Sequence, residues 1–202
     1  MAMLLGAAST ASGGQSVLLS LSGGVHPVFV HGVAGDYEAG VNDFPVTPYH
    51  APAWAGLGLG LNSGRWLFEL EARWVAASPV TLEDPSDGDT VSFDASARLV
   101  ATLGIFFRLL TGGIQPYLGA GGGFDAALAG ETQATSSYGY AIIIPAPAFK
   151  DRFDPLVQAG GGIFIKLTKA LSLRLDGRYV WIFEKPHPVR GVQAGGSLSL
   201  SF

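Results

Sequence analysis

The chain of 202 residues carries a net charge of −4 and no cysteine, which argues against a nucleic-acid-binding protein and excludes disulfides and thiolate catalysis. Charged residues make up only 14% of the chain, compared with about 25% in soluble domains. The sequence nevertheless has no apolar run of about 20 residues, so a membrane-spanning helix is excluded and a membrane β-barrel is favoured, because its strands alternate apolar and polar residues.

Residues 1–15 contain a short apolar segment followed by small residues. This order is typical of the end of a secretory signal, although no basic region precedes it. We interpret residues 1–15 as a residual signal or a flexible N-terminal segment, and residues 16–202 as a single barrel domain.

Eight segments alternate two kinds of side chain with a period of two, as expected for strands whose faces meet different environments. Most of them reach the length of about 9–11 residues that a tilted membrane strand requires. The predicted strands are Val17–Val25, Ala53–Leu61, Arg65–Ala76, Thr90–Leu109, Gln115–Leu128, Pro155–Leu167, Leu171–Glu184 and Gly191–Phe202.

The connections between these segments alternate in length. Short polar turns follow the second, fourth and sixth strands, and longer segments follow the first, third and fifth. The long connections are predicted to be loops at His26–His50, Ala77–Asp89 and Gly130–Asp154. Outer-membrane barrels have short periplasmic turns and long external loops. The sequence therefore predicts an all-β, eight-stranded antiparallel up-and-down transmembrane β-barrel, with both termini on the periplasmic side.

Apart from Arg65 at the first position of the third strand, the charges of the strands are six acids and six bases on the polar faces, and the apolar faces carry none. A narrow lumen needs such a balance, because a buried ion without a partner is costly. The polar face is therefore predicted to line the lumen, with the inward glycines making room for the long side chains. The predicted lumen charge network comprises Glu69, Glu71, Arg73, Asp94, Arg98, Arg108, Asp125, Lys166, Arg174, Asp176, Arg178 and Glu184.

The opposite orientation belongs to a soluble lipocalin-like barrel, whose apolar face lines a cavity. Strand length, low charge content and loop asymmetry disfavour it. In the membrane orientation, aromatic residues near strand ends belong to the girdles at the two interfaces. The predicted girdle residues are Trp66, Trp74, Tyr179, Trp181 and Phe183.

Three segments, Gln115–Phe124, Leu171–Phe183 and Gly196–Phe202, resemble the small eight-stranded outer-membrane proteins of Gram-negative bacteria, the OmpA-like and OmpW-like families. The final strand, with alternating apolar residues and Phe202 at its end, is similar to the signal that the barrel-assembly machinery reads. The resemblance implies a place in the bacterial outer membrane, contact with its lipid and lipopolysaccharide, and contact with that machinery during insertion.

The resemblance also leaves alternatives for the function. Our first prediction is a structural or interaction role with a lumen largely filled by charged side chains. A narrow channel for small or hydrophobic solutes, as in the OmpW-like proteins, is the alternative, and an enzyme that modifies lipid A is a third. An apolar run in the third long loop is predicted to contact a protein partner or a ligand. The residues assigned to this contact are Ile142, Ile143, Ile144 and Phe149.

No arrangement of residues indicates catalysis or metal binding. The four histidines, His26, His31, His50 and His187, lie in or beside long loops. A pair such as Ser86 with His187 stays open, but no tight spacing supports a nucleophile and base. The same holds for a metal site that would combine the first three histidines with Asp36, Glu38 and Asp43. We therefore predict no enzyme activity, no cofactor and no metal.

Overall fold

A computed structural model describes residues 15–26, 28–29, 33–34, 44–45, 52–83, 90–95, 97–128, 132–136, 138–144, 153–183 and 189–202. The predicted N-terminal segment falls outside these ranges, except Gln15, which begins the first strand. No helix long and apolar enough to cross a membrane occurs in the described ranges. The strands are β1 (Gln15–Val25), β2 (Val28–Phe29), β3 (Val33–Ala34), β4 (Phe44–Pro45), β5 (Ala53–Ser63), β6 (Trp66–Val75), β7 (Ser78–Glu83), β8 (Thr90–Ala95), β9 (Arg98–Arg108), β10 (Ile114–Ala127), β11 (Thr132–Ser136), β12 (Ala141–Ile144), β13 (Phe153–Lys166), β14 (Leu171–Ile182) and β15 (Val189–Ser201).

Eight strands close into a barrel in the order β1, β5, β6, β9, β10, β13, β14 and β15, and β15 pairs with β1. All neighbours in this ring are antiparallel. The predicted eight-stranded antiparallel barrel is therefore confirmed. β2 pairs with β15 in the same register as β1, with Val28 opposite Gly191 and Val25 opposite Ala194, so it continues β1 past His26.

The pairing register sets the tilt of the strands. Following paired residues around the ring from Leu18 leads through Gly60, Glu69, Gly104, Gly121, Gln158, Val180 and Gly191 to Val28. After one complete turn around the barrel, the path therefore returns to the first strand and its continuation at Val28, ten residues beyond its start at Leu18. At about 3.3 Å per residue and about 4.8 Å between strands, this stagger gives a tilt of about 40°. An eight-stranded barrel of this tilt has an interior just wide enough for side chains.

The two ends of the barrel differ in their connections. At one end, the short-turn end, residues 64–65, 109–113 and 167–170 join successive strands. The turn between β5 and β6 has Gly64 at its first central position with a φ of 61°, the left-handed region that glycine adopts without strain. The other end, the long-loop end, carries the segments 26–52, 76–97, 128–152 and 183–188.

The prediction of one strand over Thr90–Leu109 is wrong. The chain forms β8 and then β9, and β8 pairs with β7 and β11 instead of barrel strands. The barrel strands beside β9 end where Arg98 pairs with Val75 and with Ala127, so the ladder has no neighbours beyond that point. The chain therefore continues its alternating pattern in a second sheet.

This second sheet, the loop sheet, has the order β7, β8, β11 and β12. Its strands β7, β11 and β12 fall within segments that were predicted to be loops, Ala77–Asp89 and Gly130–Asp154. Two hairpins from different connections are thereby joined through the pairing of β8 with β11. A separate two-stranded ribbon of β3 and β4 belongs to the first long connection.

Candidate functional site

The sequence of β5 and β6 shows which face lines the lumen. In β5 the glycines Gly56, Gly58 and Gly60 face inward and are buried, whereas the leucines between them are exposed. In β6 the inward Arg73 is 1% exposed and the outward Leu70 is 56% exposed. The polar face is therefore inside and the apolar face outside, which excludes the reverse orientation of a lipocalin-like barrel.

Six charged side chains meet at mid-height in the lumen. They form the central network: Glu69, Glu71, Arg73, Arg174, Asp176 and Arg178. The guanidinium of Arg174 lies 2.6 Å from Glu69 and 3.4 Å from Asp176. The guanidinium of Arg178 lies 2.6 Å from Glu71 and 2.7 Å from Asp176. Arg73 lies 3.7 Å from Glu71. With three acids and three bases, the central network has no net charge.

Neutral side chains add hydrogen bonds to the central network. Arg73 donates to Gln158 Oε1 at 3.0 Å and to Gln193 Oε1, and Ser22 donates to Glu71 Oε1 at 3.0 Å. Above them, Gln193 Nε2 lies 3.1 Å from His26 Nδ1. These partners matter because additional hydrogen bonds offset part of the cost of removing charged groups from water.

The glycines of the inner face leave the space that the network occupies. A Cβ atom at Gly58 would lie 3.0 Å from the Glu69 carboxylate. A Cβ atom at Gly119 would overlap the ring of Phe106. Glycines of one strand thus leave room for long side chains of the neighbouring strand.

Two apolar layers enclose the central network. The lower apolar layer, towards the short-turn end, consists of Leu18, Leu67, Phe106, Tyr117 and Phe164. The upper apolar layer, towards the long-loop end, consists of Trp54, Val75, Val100, Leu156, Val180 and Ile182. On β6, Leu67 and Val75 lie on either side of the inward charged residues. Along the barrel axis, the lumen is therefore filled first by apolar, then by charged and then again by apolar side chains.

The apolar layers also contact the charged groups directly. The guanidinium carbons of Arg174 and Arg178 lie 5.9 and 5.5 Å from the centre of the Phe106 ring. The guanidinium carbon of Arg73 lies 5.7 Å from the Trp54 ring. Such cation–π contacts stabilise arginines that are removed from water.

The remaining predicted lumen charges lie outside the central network. Arg98 and Asp125 pair at 2.7 Å near the long-loop end. Arg108 and Lys166 lie at the short-turn end, below the lower apolar layer, around a cavity of about 310 Å³. Asp94 belongs to β8 in the loop sheet, so its predicted place in the lumen is wrong, because its strand leaves the barrel. Glu184 lies outside the described residues.

The predicted girdle aromatics occupy the outer face. Trp66, Trp74, Tyr179 and Phe183 are 44–50% exposed. Trp181 is half-buried, because Arg190 lies 4.4 Å above its ring and Phe183 stacks on it at 5.5 Å. Trp66 packs against Phe107 at 4.9 Å near the short-turn end.

The predicted loop contact falls only partly within the described chain. Ile142, Ile143 and Ile144 belong to β12, the outermost strand of the loop sheet, and Phe149 lies outside the described residues. Ser86, His187 and the loop residues that were weighed as metal ligands are also outside, except His26. At the other end of the barrel, Phe202 exchanges backbone hydrogen bonds with Val17 at 2.9 and 3.2 Å.

Sequence reasoning missed the neutral members of the lumen and the two apolar layers. Gln158, Gln193 and Thr102 accept hydrogen bonds from Arg73. The signal for the layers was present in apolar residues at inward positions, such as Leu67 and Phe106, on faces that are otherwise polar. These apolar residues occur near strand ends, where both layers lie.

No protein-family model matches this sequence, and no curated protein matches it either. Among solved structures, the chain is similar to Neisserial surface protein A, with 11% identity, a TM-score of 0.53 and 93% of this chain and 97% of the other covered. Outer membrane protein OprG from Pseudomonas aeruginosa shares 14% identity over 93% of this chain and 96% of its own, with a TM-score of 0.49. Ail of Yersinia pestis, solved with the heparin analogue sucrose octasulfate, shares 14% identity over 93% and 99%, with a TM-score of 0.44. The fold of the chain is that of the small eight-stranded outer-membrane β-barrels.

Proposed function

We propose that the protein is an integral barrel of the bacterial outer membrane with a structural or interaction role, a closed lumen and no catalytic activity. Both termini are periplasmic, and the long loops face outward, as the asymmetry of outer-membrane barrels suggests. The apolar outer face contacts membrane lipid and lipopolysaccharide. The barrel-assembly machinery reads the last strand, ending at Phe202, during insertion.

The sequence of layers in the lumen carries this proposal. An ion crossing the barrel has to pass two buried apolar layers, in which Phe106 is 3% and Val100 is 2% exposed. Between them it meets charges that already neutralise one another. Moving an unpaired ion through such apolar surroundings costs several kcal/mol or more, on the order of the desolvation penalty of a buried ion. The charged residues thus stabilise the barrel through ion pairs that link its strands inside the lumen.

The same observation disfavours the alternative of a channel along the barrel axis. A conducting lumen requires a continuous polar path, whereas here the central network lies between the two apolar layers. Any interaction role then belongs to the long-loop end. The loop sheet joins two connections into one unit there, and β12 places the Ile142–Ile144 run at its margin.

Planar-bilayer recording on the detergent-refolded chain tests the closed lumen. Insertion is first verified by heat-dependent migration on a gel and by protection from protease in vesicles. We expect a folded, inserted barrel without current steps. Steady conductance from verified barrels would contradict the proposal, and a chain that never inserts would contradict the membrane assignment.

The contact at the loop sheet has a separate test. Replacing Ile142, Ile143 and Ile144 by serine is expected to abolish binding of a protein partner or ligand without changing barrel assembly. As a control, Leu109 and Leu110 at the short-turn end, which are exposed apolar residues, are replaced by serine. Equal binding by all three proteins would count against the contact.

A further inference from the structure

Arg108 is an exception to the pairing of charges inside the barrel. The central network is balanced, and Arg98 pairs with Asp125. Among the described residues, Arg108 has no carboxylate partner. Its guanidinium donates to the side-chain oxygen of Asn62 and lies 5.1 Å from the centre of the Phe164 ring, while its buried Nε has no acceptor. Most of its hydrogen-bonding capacity is therefore unused.

The side chain of Arg108 lines the cavity of about 310 Å³ at the short-turn end, which we call the short-turn cavity. Lys166 and Lys169 also line it, and its described wall contains no carboxylate. The wall is completed by side chains with hydroxyl or amide groups: Ser16, Asn62, Gln115, Thr168, Ser172 and Ser201. Leu18 and Phe164 of the lower apolar layer close its inner end. The short-turn cavity is therefore closed at its inner end and lined by three cationic side chains.

The short turns around the cavity contain no acidic side chain. The segments 62–66, 108–115 and 166–171 contain four bases, Arg65, Arg108, Lys166 and Lys169, and no acid. The segments of the long-loop end, 26–52, 76–97, 128–152 and 183–188, contain eleven acids and three bases, a net charge of −8. A chain with a net charge of −4 thus keeps one end strongly cationic. That cationic end is also where the cavity opens.

We propose that the short-turn cavity binds a small phosphate-bearing anion. The planar guanidinium of Arg108 matches two phosphate oxygens, and the lysines add charge without fixed geometry. Hydroxyl and amide donors of the wall bind the remaining oxygens. A phosphate monoester, with its two negative charges, matches three cations better than a carboxylate with one. A soluble phosphate monoester presents such oxygens with two negative charges, and the phosphodiester headgroup of a phospholipid in the adjacent leaflet presents them with one.

The test uses the whole chain refolded in an uncharged, phosphate-free detergent and titrated with glycerol 3-phosphate, with binding followed by calorimetry and ³¹P NMR. We expect saturable binding that Arg108→Gln weakens at least about tenfold, the scale of one charged hydrogen-bonded contact. Arg65→Gln is the matched control, because it removes the same charge from the same end but outside the cavity wall. It should change the affinity less than about twofold, as expected for an exposed charge.

The exposed Lys166 and Lys169 provide a second variant if Arg108→Gln does not fold. Replacing both by glutamine should weaken binding while heat-dependent migration stays normal. Bicelles with phosphatidylglycerol, compared with phosphatidylcholine, separate the two sources. Binding of free glycerol 3-phosphate assigns a soluble ester, and binding only in phosphatidylglycerol bicelles assigns a headgroup. Equal losses of affinity in Arg108→Gln and Arg65→Gln would overturn the proposal. So would the absence of saturable binding both to glycerol 3-phosphate in detergent and in phosphatidylglycerol bicelles. Neither outcome depends on whether the barrel conducts ions.

Discussion

Glu71 holds the central network together, because its carboxylate serves two arginines. It lies 2.6 Å from Arg178 and 3.7 Å from Arg73 and accepts a hydrogen bond from Ser22. All of these side chains are nearly inaccessible to solvent. In such surroundings the loss of one partner leaves the other charged and desolvated, which costs more than the intact pair contributes.

Replacing Glu71 by glutamine is therefore expected to destabilise the barrel by about 3–5 kcal/mol, the usual cost of leaving a buried charge unpaired. Glutamine keeps the shape of the side chain, so the loss reports the charge. The measurement is the free energy of unfolding by urea or guanidinium in vesicles, after reversibility has been verified by refolding.

The control is the double variant Glu71→Met with Arg178→Met. It removes one charge of each sign, so Glu69, Asp176, Arg73 and Arg174 still balance. Buried ion pairs replaced as a whole by apolar residues often cost little. We expect the double variant to be more stable than Glu71→Gln. A double variant that loses as much as the sum of its two single changes would contradict the charge-pairing argument.

At the scale of elements, the loop sheet joins two long connections into one unit. The link is the pairing of β8 with β11, in which Ser92 is opposite Thr135 and Phe93 is opposite Ala134. Each hairpin alone would be marginally stable, because isolated two-stranded ribbons rarely persist in water. Joined, they form a four-stranded surface above the long-loop end.

Cysteines at Ser92 and Thr135 are expected to form a disulfide within one chain under mild oxidation. Residues directly opposite in an antiparallel pair have Cα atoms about 4.5–5.5 Å apart, within the range that a disulfide spans. The chain contains no cysteine of its own, so the bridge is read directly from a change in gel migration on reduction.

The matched control pairs a cysteine at Ser92 with one at Ala134. Adjacent residues of a strand point to opposite faces, so this pair should stay reduced under the same oxidant. Equal bridging in both variants would mean that the loops are not held in the register of the loop sheet.

The elements also show how far the sequence pattern reaches. Alternation identified the barrel strands, their faces and the outward aromatics, because a period of two directly reflects a two-sided environment. It did not separate β8 from β9. Ser96 and Ala97 continue the alternation without glycine or proline, and alternation does not tell which sheet a strand joins.

For a related reason, the sequence could not predict which charged side chains pair with one another in the lumen. The pattern places Glu69, Arg174 and Arg178 on inward faces, but their distances depend on the registers of several strands and on the ten-residue stagger. Arg108 and Lys166 have the same inward pattern, yet they fall below the lower apolar layer. Whether an inward charged side chain forms an ion pair depends on its position along the barrel axis, and alternation does not encode that position.

At the scale of the whole molecule, the outer face has the dimensions of a bilayer. Trp66 and Trp74 lie eight residues apart on β6, with Leu70 halfway between them. At about 3.3 Å per residue and a tilt of about 40°, the two tryptophans are about 20 Å apart along the axis. An apolar band of about 25 Å between aromatic girdles is typical of outer-membrane barrels.

An arginine at Leu70 is therefore expected to cost about 2–4 kcal/mol of folding free energy in bilayers, because the side chain would sit near the midplane. Ala76→Arg, on the same face just beyond the upper girdle, should cost about 0–1 kcal/mol. Unfolding titrations in vesicles measure both. Equal, small costs would place β6 outside the hydrocarbon and would favour a water-soluble barrel.

The pairing of β1 with β15 has a consequence for biogenesis. Ser20 and Ser199 are hydrogen-bonded at 2.9 Å although 179 positions separate them in the chain. The ring cannot close before its last strand arrives, and until then both edges expose unpaired amides and carbonyls that lipid does not tolerate. A partly inserted, open sheet is therefore not a stable intermediate. Because the first and last strands must pair, folding also has the high contact order that makes barrels slow to form. The newly made chain must be kept from aggregating until all eight strands can enter the membrane together.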